Sequence, residues 1–187
     1  MTSPDPRLAF LTDRTSAIRL VEPAPDEATI TAIVAAATAV PDHARLKPYR
    51  FVVVAGEARD HFGTALALAA VARNPGSAPF ADKVKNKAFF APLLIAVLSS
   101  PRAGTSVPVW EQEATAACAG FAVVLAAEAL GYGAVWKSAP VHEGTALATL
   151  LAQREGEKLL GWVNVGTRAD APVARPKVDV ASLFTVL

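Results

Sequence analysis

The sequence predicts an α+β fold, a mixed α/β layer with at least four strands. Its 187 residues are 52% apolar, which is enough to fill the core of one ordinary domain. Short β-branched or fully apolar runs alternate with segments of helical period. Because no linker, internal repeat or low-complexity tract divides the chain, we expect a single domain over residues 1–187.

The first half of the chain contains three predicted helices and one strand. RLAFLTDR follows turns at Pro4 and Pro6, and PDEATITAIVAAATAV can be capped by Asp26 and ends at Pro41. RFVVVAG is a strand because it is β-branched. The next stretch, EARDHFGTALALAAVAR, returns to a helical period.

The second half adds three strands and three helices. A short basic helix, FADKVKNKAFF, precedes the apolar strand PLLIAVLSS, and we interpret its Lys83, Lys85 and Lys87 as a solvated face. The longest helix, WEQEATAACAGFAVVLAAEALG, comes next. It is followed by the strand GAVWKS, the short helix EGTALATLLAQ and the strand KLLGWVNVGT.

The longest helix is apolar around most of its circumference. We therefore expect it to be buried, either at the centre of the subunit or between two subunits. Its Cys118 lies among small apolar residues and is interpreted as a packed core thiol. The last 20 or so residues end in Phe184, Val186 and Leu187, which predicts a tail that docks on another surface.

Charge and hydropathy exclude several classes of partner. The 18 Lys and Arg residues nearly cancel the 17 Asp and Glu residues, so a nucleic-acid partner is not expected and any bound anion is small and held locally. The longest uncharged window, residues 114–127, is too short to cross a bilayer, so no membrane partner is expected. The N-terminus has no signal-peptide pattern, which predicts a cytoplasmic protein.

The local motifs of several enzyme classes are absent from the sequence. The chain has no GxGxxG after its first strand, no GxxxxGK[ST], no HExxH, no GxSxG and no paired CxxC. His43, His61 and His142 stand far apart and lack the spacing of metal ligands. We interpret His61 as structural or exposed, and His142 as a capping or surface residue.

Three clusters remain as candidates for a binding site. Each combines cations with hydroxyl or aromatic groups beside a helix or strand end, where sites in α/β layers are usual: Arg14, Thr15 and Ser16; His43, Arg45 and Lys47; and Trp136, Lys137 and Ser138. The first cluster could hold a phosphate. A helix cap beside a surface arginine explains it about as well, and Trp136 could equally be a core residue with Lys137 as a strand-end charge.

Five segments in order, spanning most of the chain, resemble the nitroreductase family of FMN-dependent oxidoreductases, in its small single-domain branch. They are RTSAIRLVEPAP, AVPDHARLKPYRFVVVAGEAR, APLLIAVLSS, VPVWEQEATAACAGFAVVLAAEALGYGAVWKSAP and LLGWVNVGT. The resemblance implies a central mixed sheet of four or five strands, a long buried helix at a homodimer interface, an extended C-terminal tail and two FMN sites between the subunits.

The resemblance also assigns roles to the three clusters. Arg14, Thr15 and Ser16 would hold the FMN phosphate or ribityl chain, and His43 would lie beside the flavin. Trp136, Lys137 and Ser138 would line a third side of the FMN site. Lys137, or alternatively Lys47, would stabilise the charge of the reduced ring. The expected anion near the cations of residues 45–50, Arg50 included, is the flavin phosphate or the reduced ring.

The implied reaction is hydride transfer from NADH or NADPH through FMN to an electron-poor small molecule such as a nitroaromatic or a quinone. No side chain is expected to act as a catalytic acid or base. Three alternatives remain open: a reductase of the same fold that acts on an enal, a semialdehyde or free flavin; a flavin-binding or storage protein with little turnover; and a cofactor-free interaction module.

The sequence departs from the family pattern at several positions. In RLKPYRF, Arg45 and Lys47 replace the usual Asn and Gln, and Tyr49 replaces a Trp. Lys137 stands where the small branch tends to have Arg. The lysine keeps the positive charge but cannot donate two parallel hydrogen bonds as a guanidinium can. The tail cations Arg175 and Lys177 are further candidates for phosphate contacts.

Overall fold

The structure is a computed structural model that describes residues 5–138, 145–173, 176 and 178–187. His142, Arg175 and Lys177 lie outside the described residues. The helices are α1 Pro6–Thr12, α2 Glu27–Ala37, α3 Ala58–Arg73, α4 Ala81–Lys85, α5 Val109–Ala129 and α6 Thr145–Leu150. The strands are β1 Leu20–Val21, β2 Tyr49–Ala55, β3 Leu93–Ser99, β4 Gly133–Lys137 and β5 Lys158–Arg168. These elements confirm the α+β fold.

Strand β5 lies at the centre of a five-stranded sheet. It pairs with β3 along one edge, and with β4 and then β1 along the other, while β2 pairs with β3. All of these pairings between described residues are antiparallel, so the expectation of a mixed sheet is wrong. Apolar runs in a sequence predict strands but do not fix their direction, because side chains alternate in the same way in parallel and antiparallel strands.

The two faces of the sheet are covered by different helices. Successive β5 residues point to opposite faces, so Trp162 packs with Phe62 and Leu66 of α3, and Val163 packs with Val123 of α5. The rings of Phe62 and Trp162 meet edge to face, with centroids 5.4 Å apart. Helix α6 joins α3 on the first face, and α2 joins α5 on the second. The result is a layer of strands between two layers of helices.

Helix α5 buries one side only. Ala116, Ala119 and Val123 face the core, whereas Cys118 and Phe121 are exposed on the single chain. The prediction that Cys118 is a packed core thiol is therefore wrong for the single chain. Alanines occur on both sides of this helix, so its sequence does not show where the buried side ends.

The apolar end of the tail is exposed on the described part of the single chain. Leu183, Phe184 and Val186 are 71%, 62% and 84% exposed. The tail therefore does not dock on the described residues of its own subunit.

None of the helices within the described ranges combines the length and hydropathy required to cross a bilayer.

Arg50 binds a carboxylate of its own chain. Its Nε and Nη2 donate to the two carboxylate oxygens of Glu157 at 3.0 and 2.6 Å, and Nη2 also donates to two backbone carbonyls. Burial raises the pKa of Glu157, but hydrogen bonds from Arg50, the Arg154 N–H and Ser100 lower that pKa to about 2. Arg50 thus ties β2 to the turn before β5 and is removed from the cations that could bind an external anion.

We predict that Glu157→Gln lowers the free energy of unfolding at pH 7 by about 2 kcal/mol, less than at a fully buried pair because part of Arg50 stays exposed. The folded-state pKa lies below the ordinary value of 4.5, so this stabilisation is complete above about pH 4.5 and is lost as the pH falls through 2.

This effect is measured by urea unfolding between pH 7 and pH 2.5. The proteins compared are the wild type, Glu157→Gln and the exposed control Glu155→Gln. The variant should show a shallower loss of stability towards acid than the other two proteins. Parallel pH profiles for all three would contradict the assignment.

Candidate functional site

The segment that carries Arg14, Thr15 and Ser16 leaves α1 and runs along the sheet edge. Ala17 N donates to the Ala134 carbonyl of β4 at 3.2 Å. Asp170, just after β5, accepts from the backbone N–H groups of Ile18 and Arg19 at 3.2 and 2.9 Å. The predicted helix-to-coil boundary is confirmed, but these three N–H groups are bonded within the chain.

Arg168 at the end of β5 holds Thr15 in place. Its guanidinium donates to the Thr15 carbonyl and to Thr15 Oγ1, both at 3.0 Å, and to Asp170 Oδ2 at 2.9 Å. Burial raises the pKa of Asp170, but hydrogen bonds from Arg19 N–H and Arg168 keep it below its usual range. Asp170 is therefore a carboxylate that fixes both the segment and the arginine.

Arg14 and Arg168 line one cavity of about 370 Å³, called here the arginine cavity. The Arg14 side chain is only 12% exposed, with Nη1 3.9 Å from Glu128 Oε1. Its guanidinium carbon lies 6.0 Å from the ring centre of Phe121. Two guanidinium groups thus reach one cavity beside the last turns of α5, where they could hold an anionic group. The carboxylate residues Asp13 and Glu128 line the same cavity.

Trp136 and Lys137 point to opposite faces of the sheet. Trp136 packs on α5, where the absence of a side chain at Gly120 makes room for its ring: a Cβ there would overlap the indole. Lys137 lies on the other face, with Nζ 4.4 Å from the ring centre of Phe90. The structure therefore does not bring these two predicted residues together, and Trp136 has the contacts of a core residue.

A second cavity, called here the lysine cavity, has a volume of about 250 Å³. It is lined by Lys87, Phe90, Lys137, Ser138 and Trp162. Among the described residues, neither lysine forms an ion pair within 4.0 Å. Trp162 is fully buried and its Nε1–H has no partner in the same set of residues. Two ammonium groups and a hydroxyl thus line a space that suits an oxygen-rich or anionic group, and the ring of Trp162 forms part of its wall.

The two cavities lie at opposite ends of β4. Tyr132, just before the strand, lines the arginine cavity, and Ser138, just after it, lines the lysine cavity. The strand from Gly133 to Lys137 spans about 13 Å.

His43 lies at the far end of α5 from Arg14. Its Nδ1 is 2.7 Å from Glu111 Oε1 in the first turn of the helix, whereas Arg14 approaches Glu128 in the last. The two carboxylates are 17 positions apart in the sequence, which corresponds to about 26 Å along the helix axis. One chain therefore cannot place both His43 and Arg14 on a single small cofactor.

Residues 13–167 match the model of the nitroreductase family. The chain belongs to the nitroreductase family. As a member of this family it is an enzyme, an oxidoreductase of the nitroreductase type. YdjA of Escherichia coli (strain K12), which is named for an NAD(P)H nitroreductase activity, is 37% identical over 160 residues, which cover 86% of this chain and 87% of YdjA.

Two solved structures share the fold of this nitroreductase. The nitroreductase-like family protein from Bacillus cereus superposes with a TM-score of 0.84 at 18% identity, covering 100% of this chain and 98% of its own. NfnB from "sphigopyxis sp. strain HMH", described as an FMN- and NADPH-dependent nitroreductase, has a TM-score of 0.74 at 17% identity and covers 96% and 98% of the two chains.

Sequence reasoning missed two cations of these cavities. Lys87 is exposed, as a solvated face predicts, but it also lines the lysine cavity, which the spacing of lysines in a short helix does not show. Arg168 follows the strand KLLGWVNVGT, so the rule that singled out Lys137 at a strand end could have found it. Within the described ranges, no group of three His, Cys, Asp or Glu side chains is placed to bind a metal.

The contact between Gly120 and Trp136 yields a prediction about the α5 face. Gly120→Ala should destabilise the protein by about 1–3 kcal/mol, because the overlap outweighs the gain in helix propensity. Urea unfolding in the wild-type and Trp136→Leu backgrounds tests it, since the smaller Leu leaves room for the methyl group. An equal loss of stability in both backgrounds would show that Trp136 is not the obstacle.

Proposed function

We propose that this nitroreductase binds FMN and transfers hydride from NADH or NADPH to an electron-poor small molecule such as a nitroaromatic or a quinone. The observation that carries the proposal is the pair of cation-lined cavities at the two ends of β4. FMN has a phosphate at one end and ring carbonyls at the other, so each cavity suits one end of it. The names of YdjA and NfnB support the same donor and cofactor classes.

At the phosphate end, Arg14 and the Ser16 hydroxyl are the groups we assign to FMN. Arg168 adds a second guanidinium, of which one Nη1–H is not used by Thr15 or Asp170. The carbonyl and hydroxyl oxygens of Thr15 accept hydrogen bonds from Arg168, so we assign Thr15 the role of orienting that arginine.

At the ring end, Lys87 and Lys137 are the groups we assign to the ring carbonyls, with Ser138 as a further donor. Bound FMN supplies the two-electron chemistry, which side chains cannot. Two nearby ammonium groups would favour its reduced, negatively charged form. The side chains of the protein hold and orient FMN and neutralise its negative charge, so none of them is required as an acid or a base.

We also propose a homodimer with two sites between its subunits. His43 and Arg14 lie beside Glu111 and Glu128, which are about 26 Å apart along α5 in one chain, so they can serve one cofactor only if they come from different chains. An antiparallel, two-fold pairing of α5 brings the end that carries His43 of the partner subunit towards the end that carries Arg14, so both could contact one FMN. The exposed apolar stripe of Trp110 and Phe121 and the exposed tail provide the surface that such a pairing would bury.

We predict that Arg14→Ala raises the FMN dissociation constant about tenfold or more, since it removes a charge-assisted contact to the phosphate. Fluorescence titration of the apoprotein measures it. Arg7→Ala, which removes an exposed arginine of α1, is the control and should bind FMN as the wild type does. Full FMN affinity in the Arg14 variant would refute the phosphate assignment.

A second prediction concerns the lysine cavity. Lys87→Met and Lys137→Met should each make the potential of bound FMN more negative by about 30 mV or more, because each removes a positive charge near the reduced ring. Anaerobic spectroscopic titration against a reference dye measures the shift. Lys83→Met, an exposed lysine of α4, is the control, and equal potentials in all variants would show that the ring lies elsewhere.

The dimer is tested through Cys118, which is exposed on the single chain and would lie within the proposed interface. A bulky maleimide should label wild-type Cys118 slowly and label it quickly in Phe121→Asp, whose new charge disrupts the apolar contact. Leu68→Asp on α3 is the matched control and should stay dimeric. A wild-type protein that elutes as a monomer with a rapidly labelled Cys118 would contradict the dimer.

A further inference from the structure

The loop between α2 and β2 has an unusual backbone. Ala44, Arg45 and Lys47 have φ angles of 59°, 55° and 48°, in the left-handed region that residues other than glycine seldom adopt. Such conformations persist only where their surroundings enforce them, and they cluster at ligand-binding sites.

Asp42 enforces this conformation. Its Oδ1 accepts from Leu46 N–H at 3.0 Å and its Oδ2 accepts from Lys47 N–H at 2.8 Å. Its backbone carbonyl accepts from Arg45 N–H at 3.1 Å. One carboxylate thus fixes the turn that presents both cations, and its oxygens are engaged with backbone donors.

Arg102 joins the same surface from the loop before α5. Its Nε donates to the Leu46 carbonyl at 3.3 Å. Its backbone is fixed by Gln112, a side chain only 2% exposed, which accepts from Arg102 N–H at 2.7 Å and donates to the Arg102 carbonyl at 3.3 Å. A buried amide therefore holds a third cation against the strained loop.

The three cations Arg45, Lys47 and Arg102, named here the loop patch, carry an unbalanced charge. All three are exposed, and none forms an ion pair with a described residue. Of the nearby carboxylates, Asp42 is bonded to the backbone and Glu111 to His43. In a chain of net charge +1, three exposed cations that lie together without an ion-pair partner are a local concentration of positive charge.

We propose that the loop patch binds the phosphate groups of the nicotinamide donor. This inference rests on the proposed function, in which His43 of the same loop lies beside the flavin. The donor is the polyanion that must reach that place in every turnover. Two guanidinium forks and one ammonium group suit phosphate oxygens. The phosphates are either the pyrophosphate, common to NADH and NADPH, or the 2′-phosphate, present only in NADPH.

The test uses the FMN-loaded enzyme and three hydride donors: NADPH, NADH and 1-benzyl-1,4-dihydronicotinamide, which has no phosphate. Arg45→Gln, Lys47→Gln and Arg102→Gln are compared with Lys83→Gln, an exposed lysine on α4, and flavin occupancy is checked by absorbance. We expect each patch variant to raise KM for the nucleotide about tenfold, with kcat within about twofold, and to leave KM for the phosphate-free donor unchanged.

The donor that is affected identifies the phosphate. A rise in KM for NADPH alone assigns the 2′-phosphate, and an equal rise for NADPH and NADH assigns the pyrophosphate. Unchanged KM values for both nucleotides, or an equal rise for the phosphate-free donor, would overturn the proposal. Failure of the proposed function is a separate result, since the wild-type enzyme would then bind no flavin or oxidise no donor.

Discussion

The length of α5 sets the distance between the candidate groups that lie beside it in this nitroreductase. Glu111 in its first turn holds His43, Gly120 near its middle receives Trp136, and Glu128 in its last turn lies beside Arg14. A straight helix cannot bring its two ends together, so groups at those ends can share a cofactor only across two chains. The exposed apolar side of α5 makes such a pairing physically reasonable, because a stripe of that kind is seldom left in water.

The cations considered as anion ligands differ in their surroundings. Arg50 stabilises the fold through Glu157, whose two carboxylate oxygens accept from its Nε and Nη2. Arg14 with Arg168, and Lys87 with Lys137, line the two cavities at the ends of β4. Arg45 and Lys47 stand on a strained loop that Asp42 holds in place. A nearly neutral chain can bind an anionic cofactor and an anionic donor in this way, because its positive charge is concentrated at a few places.

Much of the fold could be predicted because its signals are local. β-Branched and apolar runs predicted the longer strands. Asp26 caps α2 as expected, since its carboxylate accepts from Thr29 N–H at 2.8 Å. What could not be predicted depends on contacts distant in sequence. The exposure of Cys118, the pairing of Arg50 with Glu157 and the strand directions each require knowledge of which elements are neighbours. Lys87 and Arg168 were missed for the same reason, since only the folded chain shows that they reach the cavities.

The central claim is that FMN binds to this chain and accepts hydride from a nicotinamide nucleotide. It is tested most directly by the visible absorption spectrum of the purified protein, supplied with FMN and then mixed with NADH or NADPH in the absence of oxygen. We expect a bound-flavin spectrum that bleaches with at least one of the nucleotides. A protein that stays colourless and fails to take up FMN would contradict it.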